Sequence, residues 1–97
     1  MSKIVLQNPG IILDECIYSK RLLKTLKKIG LSVKFFGRGV SDNFIRQYIQ
    51  NHYSVLITED KELQATLGWK KALLIESWTN LKDMSKIIRT YVEGVRI

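Results

Sequence analysis

The sequence predicts an α/β fold: a single three-layer α/β/α domain around a four-stranded, mainly parallel sheet. Three observations carry that prediction. Four short apolar runs alternate with stretches of helical periodicity, which is the pattern of right-handed crossovers between parallel strands. Glycine, proline or a capping residue punctuates nearly every boundary between them. Finally, 97 residues with 45% hydrophobic content suffice for one core and not for two.

After the extended segment "SKIVLQ", Pro9 and Gly10 introduce a first strand, Ile11 to Leu13, that runs directly into Asp14 and Glu15. The first ten residues read as an N-terminal extension, either an added edge strand or an arm onto a neighbouring subunit. "YSKRLLKTLKKIG" forms the first helix, with Ser19 as its cap, Leu22, Leu23, Leu26 and Ile29 on one stripe, and Gly30 as its stop. Its opposite face carries Lys20, Arg21, Lys24, Lys27 and Lys28: a solvated surface by default, a phosphate-docking face otherwise.

"LSVKFF" at 31–36 is rich in β-branched and aromatic residues and reads as the second strand, closed by the "GRG" around Arg38. "VSDNFIRQYIQNH" follows as the second helix, with Ser41 as cap, Asp42 in its first turn, and Phe44, Ile45, Tyr48 and Ile49 along one side. "YSVLIT" at 53–58 is the third strand and again ends in acid, "EDKEL"; "KELQATLG" is a short helix. A fourth strand is expected between Lys71 and Glu76. The last helix starts from Thr79 or Asn80, places Leu81, Met84, Ile87, Ile88 and Tyr91 at helical spacing, and is expected to stop before Gly94.

Composition narrows the function. Cys16 is the only cysteine, so an internal disulfide is excluded, and it has no CxxC partner for zinc; it reads as a small buried hydrophobe. His52, the only histidine, reads as a helix-end or surface residue. Cysteine-nucleophile and histidine-metal chemistry therefore find little support. No apolar stretch approaches the roughly 18 residues of a membrane span, and the N-terminus lacks the order of a signal peptide, so a cytoplasmic protein without membrane association is expected. A net charge of +7 favours an anionic partner such as nucleic acid.

Why a basic chain places acids at the exits of buried strands is the central question. In open parallel sheets, ligands bind outside the carboxyl ends of the strands, at the switch point. With strand order two, one, three, four, Asp14 and Asp60 emerge side by side and Asp42 reaches in from the second helix. Converging carboxylates repel unless they hold protons or cations, and a hard divalent ion relieves that repulsion. Two such ions about 3.5 to 4 Å apart can activate water for phosphodiester cleavage with carboxylate ligands alone.

"IILDECI", "GVSDNFIRQYIQ" and "VLITEDKEL", in this order and spacing, resemble the three acidic motifs of the short PIN-like (PilT N-terminus) nucleases, found as RNase toxins of toxin–antitoxin pairs. The resemblance runs from about Ile11 to Glu76. It implies a Mg2+- or Mn2+-dependent endoribonuclease acting on RNA, with an antitoxin protein and a second copy of the chain, as a homodimer, among its candidate partners. By motif, Asp14, Asp42 and Asp60 would be catalytic metal ligands. Glu62 takes a position that family members usually fill with Asp, and Glu15 also matches the first motif as a lesser ligand or a backbone hydrogen-bonding group.

Arg38 and Lys61 are candidate phosphate contacts beside the acids, with Lys20 and Lys24 on the first helix. Thr58 could orient a carboxylate or a water, although strand-end threonines are more often structural. Trp69 and Trp78 are expected to pack at an interface or in the core rather than stack on a base. Two alternatives stand beside the nuclease: a catalytically degenerate PIN-like module that binds nucleic acid through its basic first helix and Arg38, and a small interaction subunit that dimerises through Ile88 and Tyr91 of the last helix.

Overall fold

A computed structural model describes residues 7–96. All but Gln7 of the "SKIVLQ" segment, and with it the question of an added N-terminal strand, lies outside the described residues. The chain runs β1 (Gly10–Leu13), α1 (Lys20–Lys28), β2 (Val33–Lys34), α2 (Asp42–Asn51), β3 (Ser54–Thr58), α3 (Lys61–Leu67), β4 (Ala72–Leu74) and α4 (Leu81–Val95).

The four strands form one sheet in the order β2-β1-β3-β4, and every pairing is parallel. Register follows from the side-chain alternation of the central pair, where Ile11 lies opposite Val55 and Leu13 opposite Ile57. Those four residues face α1 and α4, in a core completed by Leu22, Leu26, Ile88 and Val92. Ile12 and Leu56, one residue out of phase, point to the other side and meet Ile45 and Ile49 of α2 and Leu63 of α3. A sheet covered on both faces needs strands that are apolar throughout, and each of the five β3 residues is buried.

Capping sets where the helices begin. Ser19 accepts a hydrogen bond from the Leu22 N–H, Ser41 from that of Phe44, and Asn80, not Thr79, from that of Asp83. After α1 the chain reverses through Gly30 at φ 92°, a conformation that disfavours any side chain.

Several boundaries differ from the sequence reading. β2 has two paired residues rather than six, because among the described residues only β1 lies beside it, and Phe35 and Phe36 leave the ladder to stack with Tyr18 and to pack on α2. α4 continues through Gly94, since Val92 and Val95 on either side of it pack against the core and offset the roughly 1 kcal/mol a helical glycine costs. Ile88 is fully buried and has no surface to offer a second subunit, while Tyr91 is half-buried and packs against the same core. Trp69 and Trp78 are 64% and 80% exposed, and neither fills the core. Among the described residues no helix is long and apolar enough to cross a membrane.

Candidate functional site

The switch point lies between β1 and β3, where the chain leaves β1 toward β2 on one side and reaches β3 on the other. At the carboxyl edge of these strands is an open cleft of about 360 Å³ lined by Asp14, Glu15, Cys16, Asp42, Glu59 and Asp60. Five of its six lining residues are acids. Lys and Arg are absent from that lining although the chain carries sixteen of them.

Asp14 follows the last residue of β1, and its backbone N–H donates to the Ile57 carbonyl at 3.0 Å, which ties it to the neighbouring strand. Its carboxylate is held at both oxygens. Oδ1 accepts from the Glu15 N–H at 2.9 Å, and Oδ2 accepts from the Thr58 hydroxyl at 2.6 Å and the Cys16 thiol at 3.4 Å. Thr58 is fully buried at the end of β3 and bridges the two acidic strand ends, since its Oγ1 also accepts from the Asp60 N–H at 3.0 Å. The threonine therefore orients a carboxylate, the less common of its two expected uses.

Asp60 is the N-cap of α3: its Oδ1 accepts from the N–H groups of Glu62 and Leu63 at 2.9 and 3.1 Å. Glu15 turns toward the loop after β2 and accepts from the Gly39 N–H at 3.3 Å. Gly37 and Gly39, at φ 103° and 78°, give that loop a path closed to most other residues, and they hold exposed Arg38 beside the cleft. Asp42, exposed in the first turn of α2, and Glu59, half-buried, complete the lining.

Glu59 has no place in the three acidic motifs as read from the sequence, and the signal for it is only its position immediately after a buried strand. Glu62 goes elsewhere. In the first turn of α3, it lines an adjacent groove with Asp42, Arg46, Leu63, Ala65 and Thr66. Lys61 is exposed in the first turn of α3, while Lys20 and Lys24 are exposed on α1 and do not line the acidic cleft. Cys16 is exposed rather than buried, because the turn after β1 directs Ile17 inward in its place. Partial removal of its sulfur from water, with the negative charge of Asp14 beside it, raises the thiol pKa even though the backbone of Glu59 works in the opposite direction, so Cys16 is a protonated donor and not a thiolate. His52 is exposed at the end of α2, as expected.

The donor set is carboxylate oxygen, the chemistry that Mg2+ and Mn2+ prefer. A carboxylate has about four lone-pair positions, so the bonds that Asp14 and Asp60 accept leave them free ones. Among the described residues no three such groups stand close enough to enclose an ion as placed. Cation binding at this cleft therefore requires the rim side chains, exposed Asp42 and half-buried Glu59 above all, to swing inward toward the fixed Asp14. Their partners do not oppose that motion: among the described residues the only ion pair is Arg89 with Glu93, 3.7 Å apart on α4. No family model, curated protein or solved structure matches this chain.

Proposed function

We propose that the chain is a Mg2+- or Mn2+-dependent endoribonuclease whose cation is held in the cleft at the ends of β1 and β3. The observation that carries this reading is five carboxylates lining one cleft, none of them ion-paired among the described residues, in a chain of net charge +7. Placing like charges together without cationic side chains is unfavourable unless another cation offsets it. The motif resemblance to PIN-like nucleases supports the same reading.

Asp14 is the anchoring ligand in this mechanism, because Thr58 and the Glu15 N–H fix its orientation before any ligand arrives. Asp60 contributes its second oxygen while the first caps α3, and Asp42 and Glu59 close from the rim. A divalent ion bound there would lower the pKa of a coordinated water and stabilise the leaving oxygen. Arg38, from the loop after β2, and Lys61, from the first turn of α3, would contact the scissile phosphate, with Lys20 and Lys24 as more distant phosphate contacts. An antitoxin protein and a homodimer belong to this reading as candidate partners.

A second reading, nucleic-acid binding without cleavage, draws on the spacing of the carboxylates, which leaves no three grouped around one point among the described residues. One experiment separates the two. A labelled mixed RNA pool is incubated with wild type, Asp14→Asn and Asp42→Asn in Mn2+, Mg2+ or EDTA, and Mn2+ binding is titrated calorimetrically in parallel. The nuclease reading requires metal-dependent cutting that both variants lose while remaining folded by circular dichroism. Wild-type protein that neither binds Mn2+ nor cuts would refute it.

A further inference from the structure

α2 carries more than Asp42. Phe44, Tyr48 and His52 follow one another at four-residue spacing, so their rings form a row along one side of the helix and its C-terminal cap. Phe44 and Tyr48 lie 6.5 Å apart at an interplanar angle of 29°, and Tyr48 and His52 stack at 3.8 Å and 11°. The His52 ring is fixed in that orientation because its Nδ1–H donates to the Tyr48 carbonyl at 2.8 Å.

Phe36 supports the row from beneath by meeting Phe44 edge-on at 5.5 Å and Tyr48 at 4.8 Å. Even so, Phe44 is 50% exposed, His52 is exposed and Tyr48 is only half-buried. The row spans roughly 12 Å, eight residues of helical rise. Tyr48 and His52 cover each other's faces, which leaves Phe44, at the other end, as the more open ring. Phe44 follows Asp42 by two residues and so projects from a different side of the helix from the acid that lines the cleft.

We infer that Phe44, backed by the rings behind it, is a stacking platform for an unpaired base of single-stranded RNA. Charge decides the occupant. Five of the nine acids line the cleft, which leaves sixteen Lys and Arg against four acids on the rest of the chain. Along the helix itself, the exposed side chains beside the rings are Asn43, Gln47, Gln50 and Asn51, and the only acid is Asp42 at its start.

Basic groups stand at the His52 end of the row and beside Phe36. Lys34 and Arg38, both exposed, are two residues to either side of Phe36, and Lys71 donates through Nζ to the His52 carbonyl at 3.3 Å. Aromatic faces flanked by cations bind single strands, whose bases can leave their own stack, in preference to duplexes, whose base faces are hidden. The choice of RNA rests on the ribonuclease reading, whereas the stacking itself requires no metal.

The test is binding of a fluorescein-labelled ten-nucleotide oligouridylate in EDTA, read by anisotropy, for wild type, Phe44→Leu and Phe44→Trp. Loss of the ring in Phe44→Leu is expected to weaken binding about 5- to 150-fold, while Phe44→Trp stays within about twofold of wild type. Wild type should prefer the single strand to a duplex of equal length. Equal affinity of wild type and Phe44→Leu, absent wild-type binding, or preference for the duplex would overturn the inference. So would a wild-type dimer in sedimentation that Phe44→Leu dissociates, since the row would then be a self-association surface. Cleavage in Mn2+ is scored separately. Binding lost in Phe44→Leu from a protein that never cuts would refute the nuclease and leave the platform standing; cutting and binding both retained in Phe44→Leu would refute the platform and leave the nuclease.

Discussion

Replacing Thr58 by valine tests the internal architecture of the cleft directly, because the shape is kept and only the hydroxyl is removed. That hydroxyl is fully buried, donates to Asp14 Oδ2 at 2.6 Å and accepts from the Asp60 N–H at 3.0 Å. A hydrogen bond to an ionised group contributes about 1.5 to 3 kcal/mol, and an orphaned buried N–H costs about 1 to 3 kcal/mol. The Asp60 N–H is only partly buried, so the lower end applies to it, and Thr58→Val should cost about 2 to 4 kcal/mol in total. Thr58→Ser keeps both bonds and loses one methyl group, worth about 1 kcal/mol.

Urea unfolding at neutral pH reads the difference. With a slope of about 1 to 3 kcal/mol per molar, the difference of about 1 to 3 kcal/mol should put the midpoint for valine about 0.3 to 3 M below that for serine. A double-mutant cycle with Asp14→Asn then isolates the pair, with an expected coupling of about 1 kcal/mol or more. If valine proves as stable as serine, or the coupling is below about 0.3 kcal/mol, Thr58 does not hold Asp14 and the preorganised anchor is wrong.

Two other outcomes follow from single contacts. Asp60→Ala should cost about 1 kcal/mol through loss of the α3 cap, whereas Asp60→Asn keeps it, so thermal melts of the two variants should differ by about 4 to 8 °C and a coincidence of their melting temperatures would contradict the cap. Burial raises the Tyr91 phenol to about 12 while its hydroxyl donates to the Trp69 carbonyl at 2.7 Å. The unfolded chain loses that proton near pH 10, so the contribution is complete below about pH 10 and fades as pH rises toward 12. Subtracting the stability of Tyr91→Phe from that of wild type across this window should reveal the decline, and a flat difference would show that the phenol is not shielded.

Much of the fold is legible locally. Strand identity, the Ser19 and Ser41 caps and the two-sided core depend on short-range periodicity and on the hydrogen-bonding capacity of single residues, and they stand where the pattern places them; strand order is a long-range property, and the order β2-β1-β3-β4 is the one supposed for the acids to converge. The exceptions have specific causes. The aromatic residues 35 and 36 favour a strand by propensity, yet a strand with one neighbour among the described residues cannot hold them in the ladder when Tyr18 and α2 offer ring contacts. Gly94 signals a helix stop by propensity, but the packing of Val92 and Val95 decides otherwise.

The acidic residues divide in the same way. That acids stand at the carboxyl ends of β1 and β3 was determined by sequence, because buried apolar runs ending in charge can only open at a sheet edge. Which of them share a cleft was decided by tertiary structure. The direction in which α3 leaves β3 brings Glu59 to the lining, turns one Asp60 oxygen into a cap and turns Glu62, in the first turn of α3, toward an adjacent groove. The exposure of Cys16 and of Phe44 belongs to the same class. Their surroundings come from β1, β2 and α2 meeting in space, and side-chain environment at such junctions is a sum over contacts distant in sequence, which no local pattern encodes.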